Sequence, residues 1–218
     1  MAKLLKLAVL ISGSGSNLQA LIDATVNPSF PAKIARVISN EPNAGGLKRA
    51  AEAGITTSVV PHQNFQERES FEAALNFEIH NAGASLVVLA GFMRLLTKRF
   101  VDEWRDNLIN IHPSLLPAFK GLHTHSRALE AGVRFTGCTV HYVRPEMDDG
   151  PIIVQAAVPI LPGDDKDSLA ARVLEQEHII YPLAVRLISE GRVRVEAERA
   201  IIDDAELGAP AAIINPTS

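Results

Sequence analysis

The chain has 218 residues, 47% of them hydrophobic, a net charge of −4 and a single cysteine, Cys138. That length and apolar content suit one sizeable globular domain and exclude a mostly disordered chain. The acidic balance argues against a surface built to cover a nucleic-acid backbone; the lone cysteine excludes an internal disulfide framework and fits a reducing, cytoplasmic setting; and no run approaches the roughly 20 apolar residues of a membrane span.

The opening apolar run, Leu7–Ile11 behind Lys6, is too short for a signal peptide and reads as a buried first strand. Strand-length apolar runs recur at Leu5–Ile11, Ile34–Ile38, Thr56–Val60, Leu86–Ala90 and Leu108–Ile111, with helical stretches between most of them. Helices are predicted from Asn17 (Leu18, Leu21, Ile22), from Ala44 (Leu47, Ala50, Ala51, stopping at Gly54) and from near Phe65 (Phe71, Leu75, Ile79, stopping at Gly83), with the glycines as left-handed caps. This alternation predicts a parallel sheet with crossover helices, and first strands apolar on both parities predict cover on both faces.

Beyond Pro117, Thr136–Val143 and Ile152–Ile160 read as an antiparallel pair joined by the Pro145–Pro151 loop. A long helix is expected from about Asp167, as its N-cap, to Glu190, with Gly191 as its stop and Pro182 as a kink point. A strand at Arg192–Val195 follows, and the chain from about Asp203 reads as a loosely attached tail. The predicted fold is α/β, Rossmann-like and doubly wound: a mostly parallel sheet with helices on both faces and an antiparallel extension in the C-terminal half.

Chemistry concentrates in Asn110-Ile111-His112-Pro113-Ser114-Leu115-Leu116-Pro117 and, downstream, Asp148-Asp149-Gly150-Pro151. On a strand ended by Pro113, Asn110 and His112 project from one face. An amide N–H and a protonated imidazole are both donors, as a developing oxyanion requires, and a nearby carboxylate keeps the imidazole charged. The plain alternative is a polar strand end without chemistry.

Three further segments bear on ligands. Ser12-Gly13-Ser14-Gly15-Ser16-Asn17 lies between a strand and a helix N-terminus and suits an anion. Leu18 breaks the dinucleotide fingerprint and the Walker ending is absent, so a monophosphate fits better, with a tight turn capped by Asn17 as the alternative. Glu177 falls on the otherwise apolar stripe Leu169, Val173, Ile180, Ala184, where a carboxylate needs an ion pair or a cationic ligand such as an ammonium group. Val87–Leu96 ends a strand at Gly91 and either receives a flat aromatic ligand or simply enters the core. Four of the seven histidines, His112, His123, His125 and His141, fall close together, and His-Thr-His on a strand would chelate; without regularly spaced acids among them, no metal is expected.

Ile11–Ala20, Leu89–Arg94, Asn110–Pro117, Gly121–His125 and Gln176–His178 together resemble the phosphoribosylglycinamide formyltransferase family, over about residues 5–200. The resemblance implies formyl transfer from 10-formyltetrahydrofolate, as co-substrate, to the amine of glycinamide ribonucleotide in purine synthesis, without a metal. It implies that Asn110 stabilises the oxyanion, His112 is the general acid and Asp148 keeps that imidazole charged. Gly15, Ser16 and Asn17 would hold the ribonucleotide phosphate, and Glu177 would meet its amine. Arg68, Met93, Arg94, Leu95, Leu96, Asn110, Arg144, Pro145, Glu146, Met147 and Asp148 would line the folate pocket. The chain departs from the family pattern at Asp149, where members commonly carry a small residue.

The Asn-Ile-His-Pro-Ser segment is shared with relatives that formylate methionyl-tRNA or hydrolyse formyltetrahydrofolate. The acidic charge, the lack of room for an RNA-binding domain and the lack of a regulatory domain before the first strand favour the ribonucleotide. Rival readings are a nucleotide-binding module without chemistry and a metal-dependent hydrolase. The expected organisation is one formyltransferase domain over 1–202, with a phosphate-binding half at about 1–105 and a folate and catalytic half at about 106–202, then a tail over 203–218. Partners are expected to be small molecules, with no nucleic acid and no membrane; monomer and homodimer are both compatible with the sequence.

Overall fold

Strand β1 (Leu5–Ile11) sets the frame, because its side chains divide between two cores. In this computed structural model, which describes residues 4–203 and 215, Leu7, Val9 and Ile11 pack into one cluster and Ala8 and Leu10 into another, all five fully buried. Burying each larger side chain stabilises the fold by roughly 1.5–3 kcal/mol, so both sheet faces must be covered. The predicted tail lies outside the described residues, apart from Asp203 and Asn215.

The elements after β1 are α1 (Ser16–Thr25), β2 (Ala32–Ser39), α2 (Gly45–Glu52), β3 (Thr57–Val59), α3 (Arg68–Asn81), β4 (Leu86–Leu89), α4 (Lys98–Glu103), β5 (Leu108–His112), α5 (Thr124–Glu130), β6 (Phe135–Tyr142), β7 (Ile152–Pro159), α6 (Lys166–Ser189), β8 (Val193–Glu196) and β9 (Arg199–Ile202). The main sheet has the order β3-β2-β1-β4-β5-β6-β7. Strands β1 to β5 run parallel, whereas β6 and β7 add antiparallel, and β8 and β9 form a separate hairpin. The order reverses between β1 and β4, and loops at the carboxyl ends of those strands flank the crevice where such sheets receive ligands.

Helix α6 fixes that end of the sheet. Its Tyr181 is fully buried and donates to Leu89 O at 2.8 Å, at the last residue of β4. The glycines after α2, α3 and α6 hold φ of 68°, 62° and 70°, the left-handed values predicted for Gly54, Gly83 and Gly191.

Several boundaries differ from expectation. The N-cap of α6 is Asp165, not Asp167: its carboxylate accepts from Asp167 N and Ser168 N, and Ser168 Oγ accepts from Asp165 N, a reciprocal capping box that starts the helix at Lys166. Pro182 sits inside this helix. Helix α3 starts at Arg68 instead of near Phe65, because Phe65 follows a single turn at His62–Asn64 in extended form and packs its ring against Phe71. Asn17 does not cap α1; Gly15 holds that position with φ 74°. Helices α4 and α5 and strand β9 are short elements that apolar periodicity did not mark.

Candidate active site

Strand β5 turns Ile109 and Ile111 into the core beneath α6 and Leu108 into the opposite core, so Asn110 and His112 share the face of Leu108. His112 closes the strand and is 6% exposed. Its Nδ1 stands 3.4 Å from Asp148 Oδ2, and its Nε2 faces Phe119 O at 3.0 Å. A carboxylate and a carbonyl only accept, so both ring nitrogens face acceptors. Asp148 is itself held, accepting from Gly121 N at 2.7 Å and sitting at φ 48°. Asp149 turns elsewhere and meets Lys120 Nζ at 3.2 Å, so the two adjacent acids do not share the imidazole.

Asn110 pairs across to His141 in the β5–β6 register, with Asn110 Nδ2 3.4 Å from His141 Nε2. His141 is 2% exposed, and burial lowers its pKa, so the ring is neutral. Its Nδ1–H donates to Tyr142 O at 2.9 Å, which leaves Nε2 as an acceptor aimed at the Asn110 amide. The carboxamide is thereby given one orientation.

Beside this pair opens a cleft of about 330 Å³. Arg68, Arg94, Leu95, Leu96, Asn110, Arg144, Pro145, Glu146, Met147 and Asp148 all line it, with Leu89, Phe92, Val101, His141 and Val143. Met93 instead lines a smaller cavity of about 190 Å³ together with Ser12–Asn17, Ala90 and Gly91. Its amide donates to Ser12 Oγ at 2.8 Å, which joins the loop after β4 to the loop after β1. His112 lies behind the cleft rather than on its surface.

In the loop after β1, Gly15 is required twice over. Its φ is left-handed, and a Cβ there would stand 2.6 Å from Gly46 Cα, where α1 and α2 approach. The α1 N-terminus carries no side-chain cap, so its free N–H groups face the cavity between Ser12 and Asn17. Arg49 Nε donates to Ser14 O at 2.9 Å and brings a cation to the same loop. Asn17 Nδ2 donates to Glu177 Oε2 at 2.7 Å, while Asn17 Oδ1 is buried without a hydrogen-bond partner, an acceptor suited to a ligand N–H. Glu177 is 6% exposed; burial raises its pKa and the Asn17 bond opposes the rise.

Cys138 is buried and its thiol is pushed up to about 12 by that burial, which makes it a poor nucleophile. The His-Thr-His segment is not on a strand: His123 is the N-cap of α5 at φ 57° and Thr124 and His125 begin the helix. Among the described residues no three His, Cys, Asp or Glu side chains gather as a metal site, and no helix is long and apolar enough to cross a membrane. Sequence reasoning missed the roles of Phe119 O, Gly121 N and Tyr142 O, which are backbone atoms without a residue signature. It also missed His141 as the partner of Asn110, which becomes visible only from the β5–β6 register.

The formyl transferase family profile matches residues 5–185. The chain belongs to the formyl transferase family. This formyl transferase is 45% identical over 203 residues to the phosphoribosylglycinamide formyltransferase of Escherichia coli (strain K12), covering 93% of this chain and 96% of that one. It is 51% identical over 195 residues to the trifunctional purine biosynthetic protein adenosine-3 of Drosophila melanogaster, covering 88% of this chain but only 14% of the longer protein. The crystal structure of glycinamide ribonucleotide transformylase 1 from Symbiobacterium toebii superimposes with a TM-score of 0.90 at 45% identity, over 93% of this chain and 95% of that one.

Proposed function

We propose that this formyl transferase moves the formyl group of 10-formyltetrahydrofolate to the amine of glycinamide ribonucleotide, in the cytoplasm and without a metal. The observation that carries the reading is the His112–Asp148 pair, set behind a cleft that Asn110 and Asp148 line. The helix N-terminus at Ser16, with Arg49 nearby, suits a monophosphate. The Glu177 carboxylate and the unpartnered Asn17 Oδ1 suit the N–H groups of a glycinamide. Each half of the chain serves both ligands: Arg68 and Arg94 border the folate cleft from the first, and Glu177 reaches the phosphate loop from the second.

The amine nitrogen attacks the formyl carbon, and the carbonyl electron pair moves to oxygen. Asn110 Nδ2–H and His112 Nε2–H hold that oxyanion, which requires His112 to exchange Phe119 O for substrate. As the tetrahedral centre collapses, the bond to the folate nitrogen breaks, the attacking amine loses a proton and the folate nitrogen gains one. Asp148 stabilises the charged imidazole throughout.

A turnover assay with purified protein tests this, following release of the deformylated folate by absorbance with and without glycinamide ribonucleotide. Release that depends on the ribonucleotide is the expected result. Equal release in its absence would identify a hydrolase and sink the transferase reading.

A further inference from the structure

Arg144 opens the loop that carries Asp148, yet its guanidinium is spent on the far side of that loop. It is 7% exposed and donates through Nε to Glu198 Oε2 at 2.6 Å, through one terminal nitrogen to Asp106 Oδ1 at 2.7 Å and through the other to Val143 O at 3.1 Å. Glu198 also pairs with Arg105. The segment Arg144–Glu146 is therefore a wall with two sides: the 330 Å³ cleft on one, and on the other a groove of about 510 Å³ bordered by Lys98, Arg105 and Glu198.

Both carboxylates that hold Arg144 sit on strained backbone. Asp106 has φ 59°, and Glu198 has φ 59° as the second residue of the Ala197-Glu198 turn between β8 and β9, after Ala197 at φ 46°. Two left-handed residues in a two-residue hairpin turn are the place of Asn-Gly or Gly-Gly. A glutamate retained there is disfavoured locally, and such outliers persist where the side chain serves a purpose elsewhere. Here that side chain reaches a buried arginine at the root of the catalytic loop. Arg144 in turn holds the Glu198 carboxyl below its usual range, so the pair stays ionic at neutral pH.

We propose that Glu198, acting through Arg144, is a positioning residue: the C-terminal hairpin clamps the 144–148 loop in the shape that receives the formyl donor. The inference rests on reading that cleft as the folate site. A charged, largely desolvated guanidinium bound by two acids gives the wall a fixed base, and Asp148 four residues on inherits that placement.

Two variants test the clamp in the full chain. Glu198→Gly suits φ 59°, so it keeps the hairpin while removing the clamp; Glu198→Gln keeps the length and an acceptor oxygen but loses the charge. In Glu198→Gly the KM for 10-formyltetrahydrofolate should rise about tenfold, equivalent to about 1.4 kcal/mol, and by less in Glu198→Gln. The KM for the ribonucleotide, kcat at saturating folate and the melting temperature should hold. An unchanged folate KM in Glu198→Gly, or an equal rise in both KM values, overturns the proposal. If the wild-type protein turns over no formylated folate, the site reading fails instead, and amide exchange at Met147 and Asp148 still decides the clamp: faster exchange in Glu198→Gly supports it, and unchanged exchange rejects it.

Discussion

His112 Nδ1 lies 3.4 Å from Asp148 Oδ2, and the same carboxylate oxygen accepts the Gly121 amide at 2.7 Å, so one oxygen joins the end of β5 to two separate loops. Replacing it with an amide removes the charge that favours the imidazolium and changes an acceptor into a group that also donates. Asp148→Asn and His112→Ala should each lower kcat by about a hundredfold or more, the usual loss when oxyanion stabilisation fails. KM for either substrate should move far less. Turnover within a few-fold of wild type in either variant would remove the pair from the mechanism.

Asn110 is oriented by His141, a residue that borders the same cleft. Neutral His141 accepts at Nε2 because its Nδ1–H is committed to Tyr142 O, and this sets which end of the Asn110 amide faces inward. Asn110→Ala should cost about a hundredfold in kcat. His141→Phe keeps bulk but removes the acceptor, so the amide is free to flip and kcat should fall about tenfold. Substrate KM values should change far less than kcat, as measured by steady-state kinetics; a rise in folate KM with full kcat would show that His141 only lines the pocket and does not orient Asn110.

Glu177 is buried against Asn17, one helical turn before Tyr181 anchors α6 to β4. Glu177→Gln retains the volume but removes the charge that the proposed substrate amine would meet, and it offers the Asn17 amide a weaker acceptor. The KM for the ribonucleotide should rise about tenfold or more with the folate KM unchanged. Isothermal titration with each substrate alone separates the two effects, and a parallel loss of folate affinity would point to a collapse of α6 packing.

The alternation of strands and helices was legible because β1 and β4 are apolar on both parities, as Leu7 to Ile11 shows, whereas β3 (Thr57–Val59) carries little such signal. Asn110, His112 and Asp148 were legible as a candidate set because the chemistry is carried by side chains, and the fold brings them together. What stayed hidden depends on long-range geometry. Phe119 O and Gly121 N act as backbone groups, and His141 reaches Asn110 only through the antiparallel β5–β6 register, which sets the two residues opposite each other. The resemblance implies that Arg144 lines the folate pocket, and it does border the cleft, but its bonds to Asp106 and Glu198, 38 and 54 residues away, are not visible from the chain. The His-Thr-His segment looks strand-like in isolation and becomes a helix start because His123 accepts φ 57°.

Acid should weaken the fold before it reaches the carboxylates. Burial lowers the pKa of His125, His141 and His178 below the ordinary value of 6.5, with the nearby His112 adding to the effect at His125. Between that value and their lower folded values the unfolded chain binds protons that the native chain refuses, so stability falls as pH drops below about 6.5. Glu177 works the other way: burial raises its carboxyl pKa, so its contribution is present below the unfolded value of 4.5 and is lost as pH rises through the folded one. Asp164 is held well below the carboxylate range, chiefly by Arg172, and gives up its stabilisation only in strong acid. Urea unfolding at successive pH values should therefore show a decline from pH 7 toward pH 5. His141→Gln should flatten that slope even though it lowers stability at pH 7, because it removes one refused proton together with one buried acceptor. An undiminished slope in that variant would assign the acid sensitivity to His125 and His178, whose Nδ1 and Nε2 atoms are buried without hydrogen-bond partners.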